Sequence, residues 1–380
     1  MRCSRRGRGA AVPARGPTPA RPAEPLPRRS PLTARRLTVL ALTALLLAGT
    51  ALPAAADPAR PTNFRSVVTE VEPAVDGLTV EVLGGDAYVA VQAPAGTTLE
   101  VEGYEGEPYV RIGEDGTVER NEASPTRWLN DARYGALDVS VPPEASAAAP
   151  PRWEVVADGG EYAWHDHRVH WMSPELPPQI DTGRDEVQEV LAWELELALD
   201  GQPLVVRGEL DWVPGPSAVV PGLLGLLAVA LGLVLGWRAA GRGPLVAAVG
   251  AVVAGVGGVA ASAGLPAGAD QDPVLVILPA VTLLLAGVGA WAVRNRPGLA
   301  PRLVAALAGF PLGVWAVLQI GALTRPIVPT QLPTDLARVL VTVTLAVGIA
   351  ALVGAARTLL TPAPAAGPTT APAAPAGGDR

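Results

Sequence analysis

An all-β, sandwich-like domain followed by an α-helical membrane domain of about five transmembrane helices is the fold class that the sequence predicts. Three observations carry it. Acidic residues crowd the chain before Pro214 and apolar residues crowd it afterwards. The acidic part consists of short alternating runs punctuated by Gly, Pro and Asp. The apolar part divides into five stretches of about 20 residues, the length that crosses a hydrocarbon core. At 380 residues, 49% hydrophobic and only 17% charged, the chain has room for a soluble part and a membrane part.

Residues 1–36 hold ten arginines and one acid, Glu24, among Pro and Ala. Arg35-Arg36 lead into an apolar run, Leu37 to Leu47, and Ala54-Ala55-Ala56 then precedes Asp57. A charged segment, a short apolar run and an A-x-A site predict a signal peptide over 1–56 with a long basic leading region, or translation that starts further downstream. An uncleaved first helix is the competing reading. Cleavage removes Cys3, the only cysteine. The mature chain then offers no disulfide, zinc–thiolate site, iron–sulfur cluster or cysteine nucleophile.

Residues 57–216 are the expected extracytoplasmic domain. Their 31 acids against 10 arginines, a net charge of −21, argue against nucleic acid or an anionic lipid surface as partner. Leu78 to Val82, Tyr88 to Val91 and Leu99 to Glu102 alternate as half-buried strands do. Gly84-Gly85-Asp86, Pro94-Ala95-Gly96 and Glu114-Asp115-Gly116 supply turns between them. The clearest element is Val190 to Leu197, then Asp200-Gly201, then Leu204 to Leu210, a β-hairpin signature. Short strands at regular spacing predict one β-sandwich or two small ones, with the Pro/Ala stretch at 142–151 either a long loop or a boundary.

Residues 217–360 form the expected transmembrane domain, with helices about 218–236, 244–264, 273–293, 303–323 and 339–356. Arg238 and Arg242 follow the first, Arg294, Arg296 and Arg302 the third, and Arg357 the fifth, whereas Asp270 and Asp272 follow the second. The positive-inside rule therefore places 57–216 outside the cell membrane and the C-terminus in the cytoplasm. Only the loop 324–338, with Arg325 and Arg338 against Asp335, breaks the trend. The five spans contain no Asp, Glu, Lys, Arg, His, Cys or Met, the residues that ion pathways and haem ligation use. Gln319 is the strongly polar residue deep in a span. Gly232/Gly236, Gly309/Gly313 and Ala286/Ala290 have the spacing of close helix packing. The block reads as an anchor or assembly platform, and the Pro/Ala-rich tail 361–380 as disordered.

All three histidines fall in Trp164-His165-Asp166-His167-Arg168-Val169-His170-Trp171-Met172. Imidazole suits copper, zinc, iron or nickel, and a thioether adds a preference for Cu(I). His165, His167, His170 and Met172 are the candidate ligands, with Asp166 as a fifth ligand or as the group that orients a histidine. On a regular strand His165 and His167 share one face while His170 and Met172 share the other. All four converge only if the chain turns or bulges near Arg168. Flanked by Trp164 and Trp171, the stretch also reads as a packed, hydrogen-bonded strand whose histidines serve structure or partner recognition.

No GxSxG, HExxH, Walker or Rossmann motif occurs, and 31 scattered acids nominate no acid–base pair, so no catalytic residue is assigned. Pro61 to Ser66, Tyr104-Glu105-Gly106-Glu107-Pro108-Tyr109, Tyr134-Gly135 and Tyr162 to Met172 together resemble a family of uncharacterised membrane proteins of high-GC Gram-positive bacteria. The resemblance covers the outer domain and extends loosely over the helices. It implies company with exported copper-handling proteins, but not a copper-resistance permease, whose spans would carry metal-binding residues.

Two readings stand at the level of sequence. One is a membrane-anchored module that binds a transition metal, copper favoured, through the His/Met cluster. The other is a non-enzymatic envelope protein, structural or partner-binding, whose histidines are structural.

Overall fold

The computed structural model describes residues 58–360 except 135–138, 218, 239–241, 270, 271 and 297, and all side chains in that range except those at 299, 302, 306, 355, 358 and 359. The expected signal peptide, Asp270, and the tail 361–380 lie outside the described residues. Among the described residues, ten strands follow one another: β1 (Phe64–Glu72), β2 (Thr79–Leu83), β3 (Tyr88–Gln92), β4 (Leu99–Glu102), β5 (Pro108–Ile112), β6 (Val118–Asn121), β7 (Trp153–Ala157), β8 (Glu161–Trp164), β9 (Gln188–Leu199) and β10 (Gln202–Trp212). A one-turn helix, α1 (Pro125–Leu129), follows β6.

The Asp200-Gly201 hairpin is the spine of the β domain. Both residues take positive φ, 50° and 74°, as a two-residue hairpin turn requires. β9 and β10 pair through eleven positions, and β10 continues to β1 and β9 to β4 in an antiparallel sheet ordered β1-β10-β9-β4-β5-β6-β7. At Gly208 a side chain has no room, because the cross-strand Trp193 ring lies over its Cα. A smaller sheet, β2-β3-β8, packs on the larger one. Val89, Val91, Tyr162 and Trp164 from the smaller sheet share one core with Leu99, Ile112, Leu195, Leu197 and Val206 from the larger. This is one sandwich. The 142–151 stretch is a loop folded back on it: Ser146 N–H donates to Ala123 O at 2.9 Å, and β6 and β7 pair across it.

Among the described residues, five helical segments are long and apolar enough to cross a membrane: Val219–Arg238, Gly243–Ser262, Val274–Asn295, Leu303–Thr324 and Thr334–Gly354. The first three are single helices, α2 (Val219–Arg238), α3 (Gly243–Ser262) and α4 (Val274–Asn295). The fourth, expected as one helix, is broken into α5 (Leu299–Leu307), α6 (Phe310–Leu318) and α7 (Gly321–Thr324). Pro311 has no N–H for the carbonyl of Leu307, which stops the helix there. The last, α8 (Thr334–Leu360), starts about a turn before its expected limit, so Asp335 and Arg338 belong to the helix and not to a loop. α8 is the central helix and packs on α2, α3, α5 and α6. Gly232 and Gly236 let α2 approach Ala346 and Ala350 of α8 at backbone distance. On α4 the buried small residues are Ala286 and Gly289, at a spacing of three; Ala290 is exposed.

Two connections between helices touch the β domain. The segment between α7 and α8 exchanges two backbone hydrogen bonds with Thr62 through Ile327, 3.0 and 3.2 Å, and Arg325 bonds Asn63 Oδ1. The segment between α3 and α4 pairs with the edge of β8, where Ala163 N–H donates to Ala267 O at 2.8 Å. Gly268, at φ 86°, passes so close to Ala163 O that a Cβ would lie 2.0 Å from it. This contact explains why β3 departs from the half-buried pattern its alternation predicts. Val89 and Val91 face the sandwich core, while Tyr88 and Ala90 are buried in a second cluster with Ala163 and Ala269.

Candidate metal centre

The chain leaves β8 at Trp164 and enters a 3-10 turn, His167–Val169. Asp166 begins that turn with extended backbone, and its Oδ1 accepts the Arg168 N–H at 3.0 Å. The same carboxylate accepts Trp164 Nε1 at 2.8 Å and the Arg168 guanidinium at 2.9 and 2.8 Å. Burial pushes the Asp166 carboxyl up, but the guanidinium and these hydrogen bonds outweigh it and hold it below the usual range. A charged residue in the middle of a buried segment is thereby fully matched.

The turn does what a straight strand cannot. One nitrogen from each of His165, His167 and His170 lies within 4.8 Å of the other two, with ring centroids 4.5 to 5.4 Å apart. Met172 is 37% exposed, against 3% for His165 and 1% for His170. Asp166, whose oxygens are taken up by Trp164 and Arg168, supports the turn.

Each imidazole is held from behind by a backbone carbonyl. His165 Nδ1 lies 2.7 Å from Ala87 O, His167 Nε2 2.9 Å from Ala132 O, and His170 Nδ1 3.0 Å from Trp171 O. A carbonyl oxygen only accepts, so the bonded nitrogen carries the proton in every case. The other nitrogen is left with a lone pair: Nε2 of His165, Nδ1 of His167 and Nε2 of His170. The Nε2 atoms of His165 and His170 are buried without a hydrogen-bond partner. Burial, against the hydrogen bond to Ala87, lowers His165 to about 4. Burial and the neighbouring His165 lower His170 to about 2, and burial also lowers His167. All three rings are therefore neutral at pH 7, the state in which imidazole binds a metal.

Tyr104 and the Asp86–Arg133 pair complete the surroundings, and neither was nominated as a site group by spacing alone. The Tyr104 ring stacks on His167 at 5.5 Å and 10°, its hydroxyl accepts the His167 N–H at 2.8 Å, and it donates to Asn130 Oδ1. Burial pushes the Tyr104 phenol well up, so it stays neutral. Arg133, next to Ala132, pairs with Asp86, next to Ala87, at 2.6 Å. The carbonyl partners are invisible in sequence because every residue has one. Tyr104 could have been found only through its place in the Tyr104–Tyr109 motif. Comparison with protein-family models, with curated proteins and with solved structures finds no match to this chain.

Proposed function

We propose that this protein is a membrane-anchored metal-binding module whose β domain, on the outer face of the cell membrane, holds a transition metal through His165 Nε2, His167 Nδ1 and His170 Nε2. One observation carries the reading: one ring nitrogen from each of the three histidines lies within 4.8 Å of the other two, and each ring also has a nitrogen bonded to a backbone carbonyl. Lone pairs repel one another and lose hydration there, and a cation among them removes both penalties. Carbonyl-oriented histidines are the usual outer support of a metal site. Metal–nitrogen bonds of about 2.0–2.1 Å put two ligand nitrogens about 3.3 Å apart in a tetrahedral site.

Copper is the favoured ion. With Met172 at the surface, the case rests on the nitrogen donors and on the order of divalent affinities, which peaks at copper. Orientation follows from the loop arginines, and the contacts between helices and β domain support it. The connections after the second and fourth spans both touch the β domain, so they share its side; Arg238, Arg294 and Arg357 lie at the opposite helix ends. Arg325 and Arg338, which break the charge trend, have structural work. Arg325 bonds Asn63, and Arg338 donates to Ala322 O and Arg325 O, both at 3.1 Å.

Metal analysis of the purified full-length protein after copper loading and desalting tests the reading. About one copper per chain is expected, and His165→Ala with His167→Ala removes it. Equal copper content in the double variant would sink the metal reading and leave the histidines a structural role.

A further inference from the structure

Gln319 is the strongly polar residue that the sequence places deep in a span, and the metal reading gives it no work. It follows α6 at the break before α7 and lines a cavity of about 450 Å³. A single water needs about 10–15 Å³ of such space, so the cavity is far larger than a packing flaw. Its floor lies inside the helix bundle, formed by Gly257 of α3, Leu275 of α4, Trp315 of α6 and Val341 of α8. Its roof is the β domain, with Pro61, Leu83 and Tyr88. Val341 comes seven residues after Thr334, the start of α8, so the space reaches about 10 Å inward from the helix ends on the β domain's side.

The wall is graded in polarity. Its deep part is aliphatic and aromatic, and the polar atom of Trp315 is already used, since Nε1 donates to Leu275 O at 3.2 Å. Polar groups line the cavity where the chain leaves the helices, at Asp272, Gln319, Thr330 and Gln331. Water settles in a cavity only where two to four polar partners hold it, which the deep part lacks. Leu318 in the wall is 55% exposed, and Val317 and Ile320 around it are 60% and 51% exposed. The lining therefore continues into the apolar outer surface of the bundle, the surface that a bilayer covers. An apolar space with a few polar groups gathered at one end is the usual form of a site for an amphipathic ligand.

We infer that this cavity takes one acyl chain of a phospholipid from the leaflet on the β domain's side, with the ester region of the lipid at Gln319, Thr330 and Gln331. The chain enters past Leu318, and its methylenes cover Leu275, Trp315 and Val341. Ester carbonyls only accept hydrogen bonds, and the amides of Gln319 and Gln331 and the hydroxyl of Thr330 can donate them. The β domain thereby rests on a lipid chain as well as on the helix connections. This site is separate from the histidine centre and does not depend on the metal reading.

Trp315 is the reporter. Full-length protein is reconstituted in phosphatidylcholine vesicles whose acyl chains are either plain or brominated near the ester end. Bromine quenches indole emission at short range, and subtracting the Trp315→Phe protein isolates the emission of Trp315, which is 3% exposed. That emission is expected to fall about twofold in brominated vesicles, as contact with a chain in the cavity requires. At Gly257 a Cβ meets Leu340 and Trp315 at 3.8 and 4.0 Å, ordinary contact, so a larger side chain there occupies the cavity without a backbone clash. Gly257→Leu should cut the quenching about threefold. Gly225→Leu on α2, where a Cβ meets nothing within 4 Å, should leave it unchanged. Should Gly257→Leu not fold, Ala261→Leu, one turn further along α3 in the same wall, reads the same space. Equal Trp315 emission in plain and brominated vesicles overturns the inference. Equal quenching in the unaltered protein and the folded cavity-filling variant also overturns it, and either result leaves the metal reading intact.

Discussion

His165 and His170 are ordinary imidazoles made unusual by burial, and the consequence is a pH dependence with a definite sign. Their folded values, about 4 and about 2, lie below the roughly 6.5 of an unfolded chain. Above about pH 6.5 both states are neutral and the stabilisation is fully present. As pH falls toward the folded values, the unfolded chain takes protons that the folded one refuses, and stability is lost. The slope approaches about 1.4 kcal/mol per pH unit for each such histidine. Burial and the neighbouring Glu196 push the Glu102 carboxyl up toward the window from about 6.5 to 5, so the histidine part is read as a difference between the protein and a variant that lacks one ring. Thermal unfolding of the metal-free protein, followed by tryptophan fluorescence, should therefore show a midpoint that drops across that window. In His170→Asn, which carries no titrating ring, the drop should shrink. An unchanged slope would mean that His170 takes up a proton in the fold as readily as in the unfolded chain and is not held neutral for a metal.

At the scale of elements, the centre depends on where β8 stops. The Asp166 cap and the 3-10 turn reverse the strand's alternation, and the connection between α3 and α4 pins the strand just before it. Gly268 is the tight point of that pinning, and Gly96 is its control. Both have positive φ, 86° and 77°, but a Cβ at Gly96 meets nothing within 4 Å, while one at Gly268 meets the Ala163 carbonyl at 2.0 Å. Alanine at either position carries the cost of a left-handed backbone, about 1–2 kcal/mol. Only Gly268→Ala must also push the α3–α4 connection off β8. It should lower the unfolding midpoint beyond Gly96→Ala and weaken copper retention, which Gly96→Ala leaves alone. Equal effects would show that the contact does not support the centre. The same elements show what was legible in the sequence. The β9–β10 hairpin could be read because Asp200-Gly201 is a local signal. The convergence of His165 with His170 could be stated only as a condition, because it depends on one side-chain cap. The covered face of β3 was hidden, since Ala269 lies 179 positions beyond Ala90 and no periodicity within the strand reports it.

At the scale of the whole molecule, the helices and the β domain constrain one another's side of the membrane. An odd number of crossings would put the β domain and the end of α8 on opposite faces, and the connections after the second and fourth candidate spans return to the β domain. The apolar lengths made the number of candidate spans readable from composition, and the loop arginines carry the orientation proposed above. The break at Gly309-Phe310-Pro311 and the early start of α8 depend on packing and were not readable in the same way. The proposed orientation has a clean test because Cys3 is the sole cysteine. In a Cys3→Ser background, Ala148→Cys places one thiol in the exposed loop between β6 and β7, and Thr369→Cys places one in the C-terminal segment. A membrane-impermeant maleimide added to intact cells should label Ala148→Cys and spare Thr369→Cys, and permeabilisation should make the second thiol reactive. The reverse pattern would put the histidine centre on the cytoplasmic side, where glutathione competes for copper, and would remove the exported setting in which a thiol-free nitrogen site makes chemical sense.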